Sequence, residues 1–257
     1  MAKAVIISGA GLSAESGIPT FRDKGGLWER YSIDEVANFC TFDQNRVKAF
    51  KFFNEFRGML ANVRPNAAHE ALARLQKVCG PEHIVLITQN VDDLLERAGC
   101  TGVMHVHGCL WQMQCLDCTH VWDIGYGMWA PYEPCPACAS LAVKPHVVLF
   151  NEMAPRYADM HEAVESLTAD DCFAALGTSG FVVPVGPMIS GFTGNKILCN
   201  LNASDWLDGR LFDHCYYMPV TQAIEQIAGL IEVTLAGKPV SVRTHAETGF
   251  KPVSAKE

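Results

Sequence analysis

The chain has 257 residues, 49% of them hydrophobic and 19% charged, a globular composition that fits one large domain or a large domain with a smaller insert. Its 20 Lys and Arg against 28 Asp and Glu leave a formal charge of −8, so no global basic field recruits nucleic acid or anionic lipid, and a basic protein partner is easier to attract. No apolar run approaches the roughly 18 to 20 residues that span a bilayer, and Met1-Ala2-Lys3 leads into the first strand without the n-region of a signal peptide; a cytoplasmic protein without membrane attachment is expected.

Ala4 to Ile7 is a short apolar run of the length of a buried strand, and it runs straight into SGAGLSAESGIPTFRD, residues 8–23. Gly9, Gly11 and Ala14 fit the G-x-G-x-x-G/A pattern, in which a tight turn and small residues let the backbone approach a pyrophosphate. The same pattern also occurs as a purely structural loop. Gly17-Ile18-Pro19 interrupts the expected helix almost at once, before Thr20-Phe21-Arg22-Asp23 and a glycine turn that carries Trp28. Residues 44–62 read as a helix with Val47, Phe50, Phe53, Phe56 and Leu60 on one stripe, the pattern of a core face or of a ligand channel wall. Pro65-Asn66 opens a second helix over 67–78, which Gly80-Pro81 ends.

His83 to Thr88 is the second strand, leading to Gln89, Asn90 and Asp92. In a doubly wound sheet these lie beyond a strand's carboxyl end, near the first glycine loop, although Asn90 could equally cap the short helix that ends near Gly99. Val103 to Gly108 reads as a third strand with His105 and His107 on the same side of the pleat. His107, at the strand end before Gly108, suits proton transfer near neutral pH, whereas His105 has no such placement.

Eleven cysteines, an odd number in a chain of this size, point to reduced thiols with some on metal. Cys115-x-x-Cys118 and Cys135-x-x-Cys138, sixteen residues apart, match a closed four-thiolate structural zinc site rather than a catalytic one, with His120 a redundant ligand. Residues 109–143 then form a small inserted module, and Lys144 to Phe150 is expected to return to the main sheet. A helix over 157–167 follows, then the strand Cys172 to Leu176 with its small-residue loop Gly177-Thr178-Ser179-Gly180, strands at 196–200 and 215–217, and a helix over 220–235. Residues 236–257 read as a polar tail without a function.

Taken together and in this order, GAGLSAESGIPTFRD, TQNVDDL, HVHG, the paired CxxC motifs, KPHVVLFNE and GTS resemble the sirtuin family of NAD-dependent protein deacylases, closest to its short bacterial forms. The resemblance implies an α/β fold, a Rossmann-like parallel sheet with helices on both faces built from residues 1–22, 66–108 and 144–235. A helical cofactor-loop module (23–65) and a zinc-binding module (109–143) are added to it. It further implies that Gly9, Ala10, Gly11, Ser13, Ile18, Phe21 and Arg22 line the NAD loop, with Ile18 to Arg22 as a mobile cover. Gln89, Asn90 and Asp92 would hold the nicotinamide ribose and carboxamide, while Thr178, Ser179, Asn200 and backbone near Met218 would hold the adenosine end. His107 would be the general base, assisted by Gln89 and Asn90. In the family mechanism the acyl oxygen attacks C1′ of the nicotinamide ribose, nicotinamide leaves, and the acyl group ends on ADP-ribose. The protein partners implied are acylated lysines of other proteins, with Val147, Val148, Leu149 and Phe150 offering a free strand edge to an extended peptide. The oligomeric state is left open, a monomer being compatible with the sequence.

The chain also departs from the family's patterns. Some sirtuins that prefer malonyl or succinyl groups carry Tyr-x-x-Arg on the helix after the cofactor loop, and Phe53 and Phe56 occupy the corresponding positions here. A buried acyl carboxylate would have no partner there, so acetyl and longer uncharged aliphatic groups are expected. Asn151 replaces a glycine, either altering peptide docking or occupying a left-handed turn, and Asn202 replaces an acidic residue near the adenosine ribose. ADP-ribosyl transfer or NAD hydrolysis in the same pocket is the rival activity, and a non-catalytic NAD-sensing zinc adaptor the rival of another class.

Overall fold

The computed structural model describes residues 2–20, 30–238 and the backbone of 244–247. Ten strands and five longer helices lie among them: β1 Ala4–Ser8, β2 Ile84–Thr88, β3 Met104–His105, β4 Gly108–Cys115, β5 Val121–Asp123, β6 Val143–Val147, β7 Cys172–Leu176, β8 Asn195–Asn200, β9 His214–Tyr217 and β10 Thr244–Glu247, with α1 Arg46–Leu60, α2 Ala67–Cys79, α3 Leu94–Ala98, α4 Tyr157–Glu165 and α5 Val220–Leu235. Seven strands form one parallel sheet in the order β10-β9-β8-β7-β1-β2-β3, and β5-β4-β6 form a small antiparallel one. The strand order reverses between β1 and β7, and such a switch point opens a crevice at the carboxyl ends of the strands.

The continuous apolar strands follow from burial on both faces. Alternate residues of β1 serve opposite cores. Ala4 and Ile6 pack with Leu72, Leu75, Ile224 and Ile227 of α2 and α5, while Val5 and Ile7 pack with Met160 and Val164 of α4. Helix α2 begins on a reciprocal cap in which Asn66 Oδ1 accepts from the Ala68 and His69 amides, and His69 Nδ1 accepts from the Asn66 amide at 3.2 Å. The third core lies in the smaller lobe, where the aromatic face of α1 meets β4, β6 and Leu149. Two buried arginines fasten that lobe. Arg46 donates to the carbonyls of Leu141 and Val143, both at 2.6 Å, and Arg57 to those of Leu110 at 2.8 Å and Gly127 at 3.1 Å. Burial lowers the Arg57 pKa to about 10, which leaves it charged at neutral pH.

Four expectations change. Val47 is 59% exposed, and Phe52 takes its place in the core of α1. Histidines 105 and 107 do not share a strand, because β3 stops at His105 and a turn carries His107 into β4. Residues 143–147 belong to the small sheet, paired antiparallel with β4, so the chain rejoins the main sheet only at β7. The C-terminal segment is not wholly a tail, since β10 adds a parallel edge strand beside β9. Among the described residues no helix is long and apolar enough to cross a membrane.

Candidate active site

Beyond β1, two short 3-10 turns, Ala10–Leu12 and Ala14–Ser16, replace the helix that usually follows a dinucleotide loop, and Gly17 closes the second at φ 91°. The glycines serve a close approach of two loops. The Gly9 amide donates to Leu176 O at 3.0 Å and the Gly11 amide to Gly177 O at 2.9 Å. A Cβ on Gly11 would lie 2.7 Å from Gly177 Cα, and one on Gly9 2.8 Å from Gly177 O. The first turn is thus locked onto the loop after β7, and Ala10 lies half-buried at the tip between the two glycines.

Ser13 is the hub of a buried network. Its hydroxyl accepts from Asn90 Nδ2 at 3.0 Å and donates to Asp92 Oδ2 at 2.9 Å. His69 Nε2 lies 3.4 Å from the same oxygen. His69 Nδ1 accepts from the Asn66 amide, so Nε2 carries the proton and points it at Ser13. Burial drives the His69 pKa down to about 4 and keeps the ring neutral. Burial also pushes Asp92 up to about 6, against the hydrogen bonds from the Leu94 amide and Ser13. Asn90 does not cap the short helix: the cap position is Asp93, and the first helical amide, that of Leu94, donates to Asp92 Oδ1 at 3.1 Å. His69 has no place among the site residues read from the sequence, although an imidazole in the third position after a cap asparagine was a visible signal.

Both histidines of HVHG orient themselves on the loop after β2. His105 Nδ1 meets Asn90 O at 3.0 Å, and its Nε2 is bound by Glu96 at 2.8 Å. Burial disfavours its charged form, but the Glu96 carboxylate outweighs that and raises its pKa. His107 Nδ1 meets Gln89 O at 2.8 Å. A carbonyl can only accept, so Nδ1 bears the hydrogen and Nε2 keeps its lone pair. Burial lowers the His107 pKa, so the ring is a neutral base at physiological pH. Gln89 turns its side chain the other way, donating to Thr178 Oγ1 at 2.9 Å. Asn200, at the end of β8, donates to Thr178 O at 2.8 Å, and Ser204 Oγ donates to Ser179 O at 2.7 Å. Met218 lies just past β9, where its carbonyl accepts from Cys199 Sγ.

The crevice therefore offers amide and hydroxyl groups, one buried carboxylate and tightly packed glycine backbone at the ends of β1, β2, β7, β8 and β9. That donor set fits the hydroxyls and carboxamide of a dinucleotide at a switch point. Phe21 and Arg22 lie outside the described residues. Ile18, Phe53, Phe56, Val147 and Leu149 come together in the apolar cluster of the smaller lobe, while Val148 is half-buried and Phe150 is 38% exposed. The edge at 147–150 is not free. The amides of Val148, Leu149 and Phe150 are taken by His107 O, Glu152 Oε2 and Ala37 O. Asn151 stands in the left-handed region at φ 63°, and its side chain donates to Asn38 Oδ1 at 3.2 Å.

The four cysteines converge, their sulfurs all lying within 4.8 Å of one another. Cys115 and Cys138 are 3.6 Å apart, and Cys118 and Cys135 3.7 Å, close to the ~3.8 Å edge of a tetrahedron with Zn–S bonds of about 2.3 Å. The two knuckles share one design. The amide of each first cysteine donates to the carbonyl five residues on, Cys115 to His120 and Cys135 to Ser140, and the residue after each second cysteine, Thr119 or Ala139, has positive φ. Backbone amides of Cys118 and Asp117 lower the Cys115 thiol to about 7, toward the thiolate that zinc takes. His120 stays outside, stacked on Trp122.

Comparison with known proteins agrees with this geometry. The sequence model of the Sir2 family matches residues 9–184. The chain is 41% identical to the NAD-dependent protein deacylase of Helicobacter hepaticus over 90% of this chain and 98% of that one, and 42% identical to its namesake in Campylobacter jejuni over 90% and 97%. Among solved structures, a Sir2 homologue in complex with NAD superposes with a TM-score of 0.78 at 32% identity, covering 91% of this chain and 90% of that one. A mutant Sir2 homologue in complex with ADP-ribose likewise gives 0.78 at 32% identity, over 93% and 95%. The matches extend from the glycine loop past the zinc knuckles, and the chain belongs to the Sir2 family.

Proposed function

We propose that this chain removes uncharged acyl groups, acetyl first, from lysine side chains of proteins, consuming NAD and releasing nicotinamide and O-acyl-ADP-ribose. When bound, NAD supplies an electrophilic ribose carbon with nicotinamide as leaving group. The observation that carries the reading is the neutral His107, with Nδ1–H held by Gln89 O and Nε2 left as the unprotonated nitrogen. A base so placed takes a proton from a ribose hydroxyl without first losing one of its own. Gln89, Asn90 and Asp92, the last two oriented through Ser13, hold the nicotinamide end, and Thr178, Ser179, Asn200 and the Met218 backbone the adenosine end. Gly9, Ala10 and Gly11 form the wall behind the phosphates. Ile18, buried in the smaller lobe's apolar cluster, helps to keep water from the reacting centre. Cys115, Cys118, Cys135 and Cys138 hold a structural zinc that stays out of the chemistry.

The acyl-lysine enters the smaller lobe's apolar cluster past Phe53, Phe56, Val147 and Leu149. Burying an acyl carboxylate there would be costly. Incubation with NAD and an acetylated peptide tests the whole reading. Freed lysine stoichiometric with O-acetyl-ADP-ribose is expected, and His107→Ala abolishes both without unfolding the chain. ADP-ribose without freed lysine would make the protein an NAD hydrolase, and ADP-ribosylated peptide a transferase to another acceptor. Faster turnover of a succinyl than of an acetyl peptide would overturn the assigned acyl preference.

A further inference from the structure

The base nitrogen of His107 is already engaged. Tyr157, the first residue of α4, places its hydroxyl 2.9 Å from Nε2, with the two rings 5.9 Å apart and tilted by 44°. The direction of that hydrogen bond follows from the other side of the ring. Nδ1 must donate to Gln89 O, so Nε2 of the neutral imidazole accepts and Tyr157 donates. Burial raises the Tyr157 pKa, which keeps the phenol protonated and able to donate. The ring is half-buried against the core cluster that contains Met160, Val164 and Val183, so its position is set by packing.

We propose that Tyr157 is a positioning residue for the base. Its hydroxyl holds the His107 ring with Nε2 toward the crevice and unprotonated in the resting enzyme, then yields that nitrogen to the incoming ribose hydroxyl. This rests on the reading of His107 as the base. A donor on Nε2 favours the neutral ring, because the imidazolium has a proton at that atom and cannot accept. It therefore acts in the same direction as burial, against the bond to Gln89 O, which favours the charged form. The titratable groups on the adjoining elements are Cys109 at the start of β4, Asp92 and His105 near the β2 loop, Lys144 and His146 on β6 with Glu152 beyond it, and Arg156 and Asp159 at the start of α4, which pair with each other at 2.5 Å. None of these contributes to the His107 shift.

The test is Tyr157→Phe in the full chain, which removes the hydroxyl and keeps the ring, with Tyr157→Leu removing both. His107 is titrated by NMR on histidine-labelled protein, its signal being identified by its loss in His107→Gln. Removing the donor raises the His107 pKa by about half to one pH unit, the worth of one neutral hydrogen bond, and by at least that much in Tyr157→Leu, which also opens the ring to water. Activity that needs the neutral base is lost as pH falls through that pKa, so the acid limb of kcat for lysine release moves up equally. At neutral pH kcat falls about two- to tenfold, while exchange of labelled nicotinamide into NAD, which precedes the action of His107, stays at the parent rate. An unchanged His107 titration and acid limb in Tyr157→Phe would overturn the proposal and leave Tyr157 as packing. If His107→Ala still released lysine, the base assignment itself would fall, and the NMR titration would continue to report on the Tyr157 contact alone.

Discussion

Gly11→Ala is the sharpest perturbation of the crevice. The added methyl would sit 2.7 Å from Gly177 Cα, 2.9 Å from its oxygen and 3.2 Å from its carbonyl carbon. Ordinary carbon contacts lie near ~3.5 Å, so the two loops must separate by something under an ångström. The obstacle is backbone, and it is pinned. The Gly177 amide donates to Cys199 O at 2.8 Å, and Gly177 itself has φ 62°. Overpacking of this kind costs about 1–3 kcal/mol, and the upper end applies because no side chain can swing away. Gly58 is the control, since a methyl there meets nothing within 4 Å in the last turn of α1, and Gly58→Ala gains about 0.5–1 kcal/mol. With roughly 2–4 °C per kcal/mol for a chain of this size, thermal unfolding followed by circular dichroism should drop by about 6–12 °C for Gly11→Ala. It should rise by about 1–4 °C for Gly58→Ala. Adding NAD should raise the midpoint of the parent and of Gly58→Ala but barely move Gly11→Ala. A Gly11→Ala midpoint within a degree of the parent, with its NAD response intact, would refute the claim that β1 and β7 are clamped through these glycines.

Two other perturbations address the smaller lobe. Cys115→Ser or Cys135→Ser should lose the single bound zinc on elemental analysis and lower the unfolding midpoint, because metal binding there is also folding energy and offsets the positive φ of Thr119 and Ala139; a full equivalent of zinc retained in both variants would contradict the site. Lys144 is 1% exposed on its side chain and bonds Glu152 Oε1 at 3.1 Å and Val147 O at 2.7 Å, so Glu152→Gln leaves a buried cation unpaired and should cost about 3–5 kcal/mol by urea denaturation. Lys144→Met combined with it should recover most of that loss. A cost under ~1 kcal/mol for Glu152→Gln would mean that the pair does not hold residues 147–152.

Strand placement was largely legible in the chain, because a parallel strand covered on both faces is a continuous apolar run. Ala4 to Ile7, Ile84 to Ile87 and Cys172 to Leu176 all read that way. Helix faces were less so. The three-and-four spacing that selects Val47 also permits Phe52, and only the position of the small sheet decides between them. Residues 143–147 have the strand character expected of them, but strand character does not name a partner, and β4 took them. Among site residues, the cysteine spacing carried its own geometry. The cap pairing of His69 with Asn66 was visible, but the site contacts of His69 and Tyr157 were not, because each acts across more than forty residues of sequence, through Ser13 and His107.

By itself the sequence determined the periodic and the chemical. It specified which runs are buried strands, where glycine permits close approach, which four thiols can close on one ion, and a set of motifs sufficient to name the family. The tertiary structure alone decided protonation and direction. It placed Gln89 O against His107 Nδ1, so that Nε2 is the unprotonated nitrogen, and buried Asp92 and His69 deeply enough to shift both. It also turned the glycine pattern inward, onto Gly177. The physical reason is that a pKa, a tautomer and a close contact depend on what surrounds a group in space, and those neighbours are supplied by segments far away along the chain.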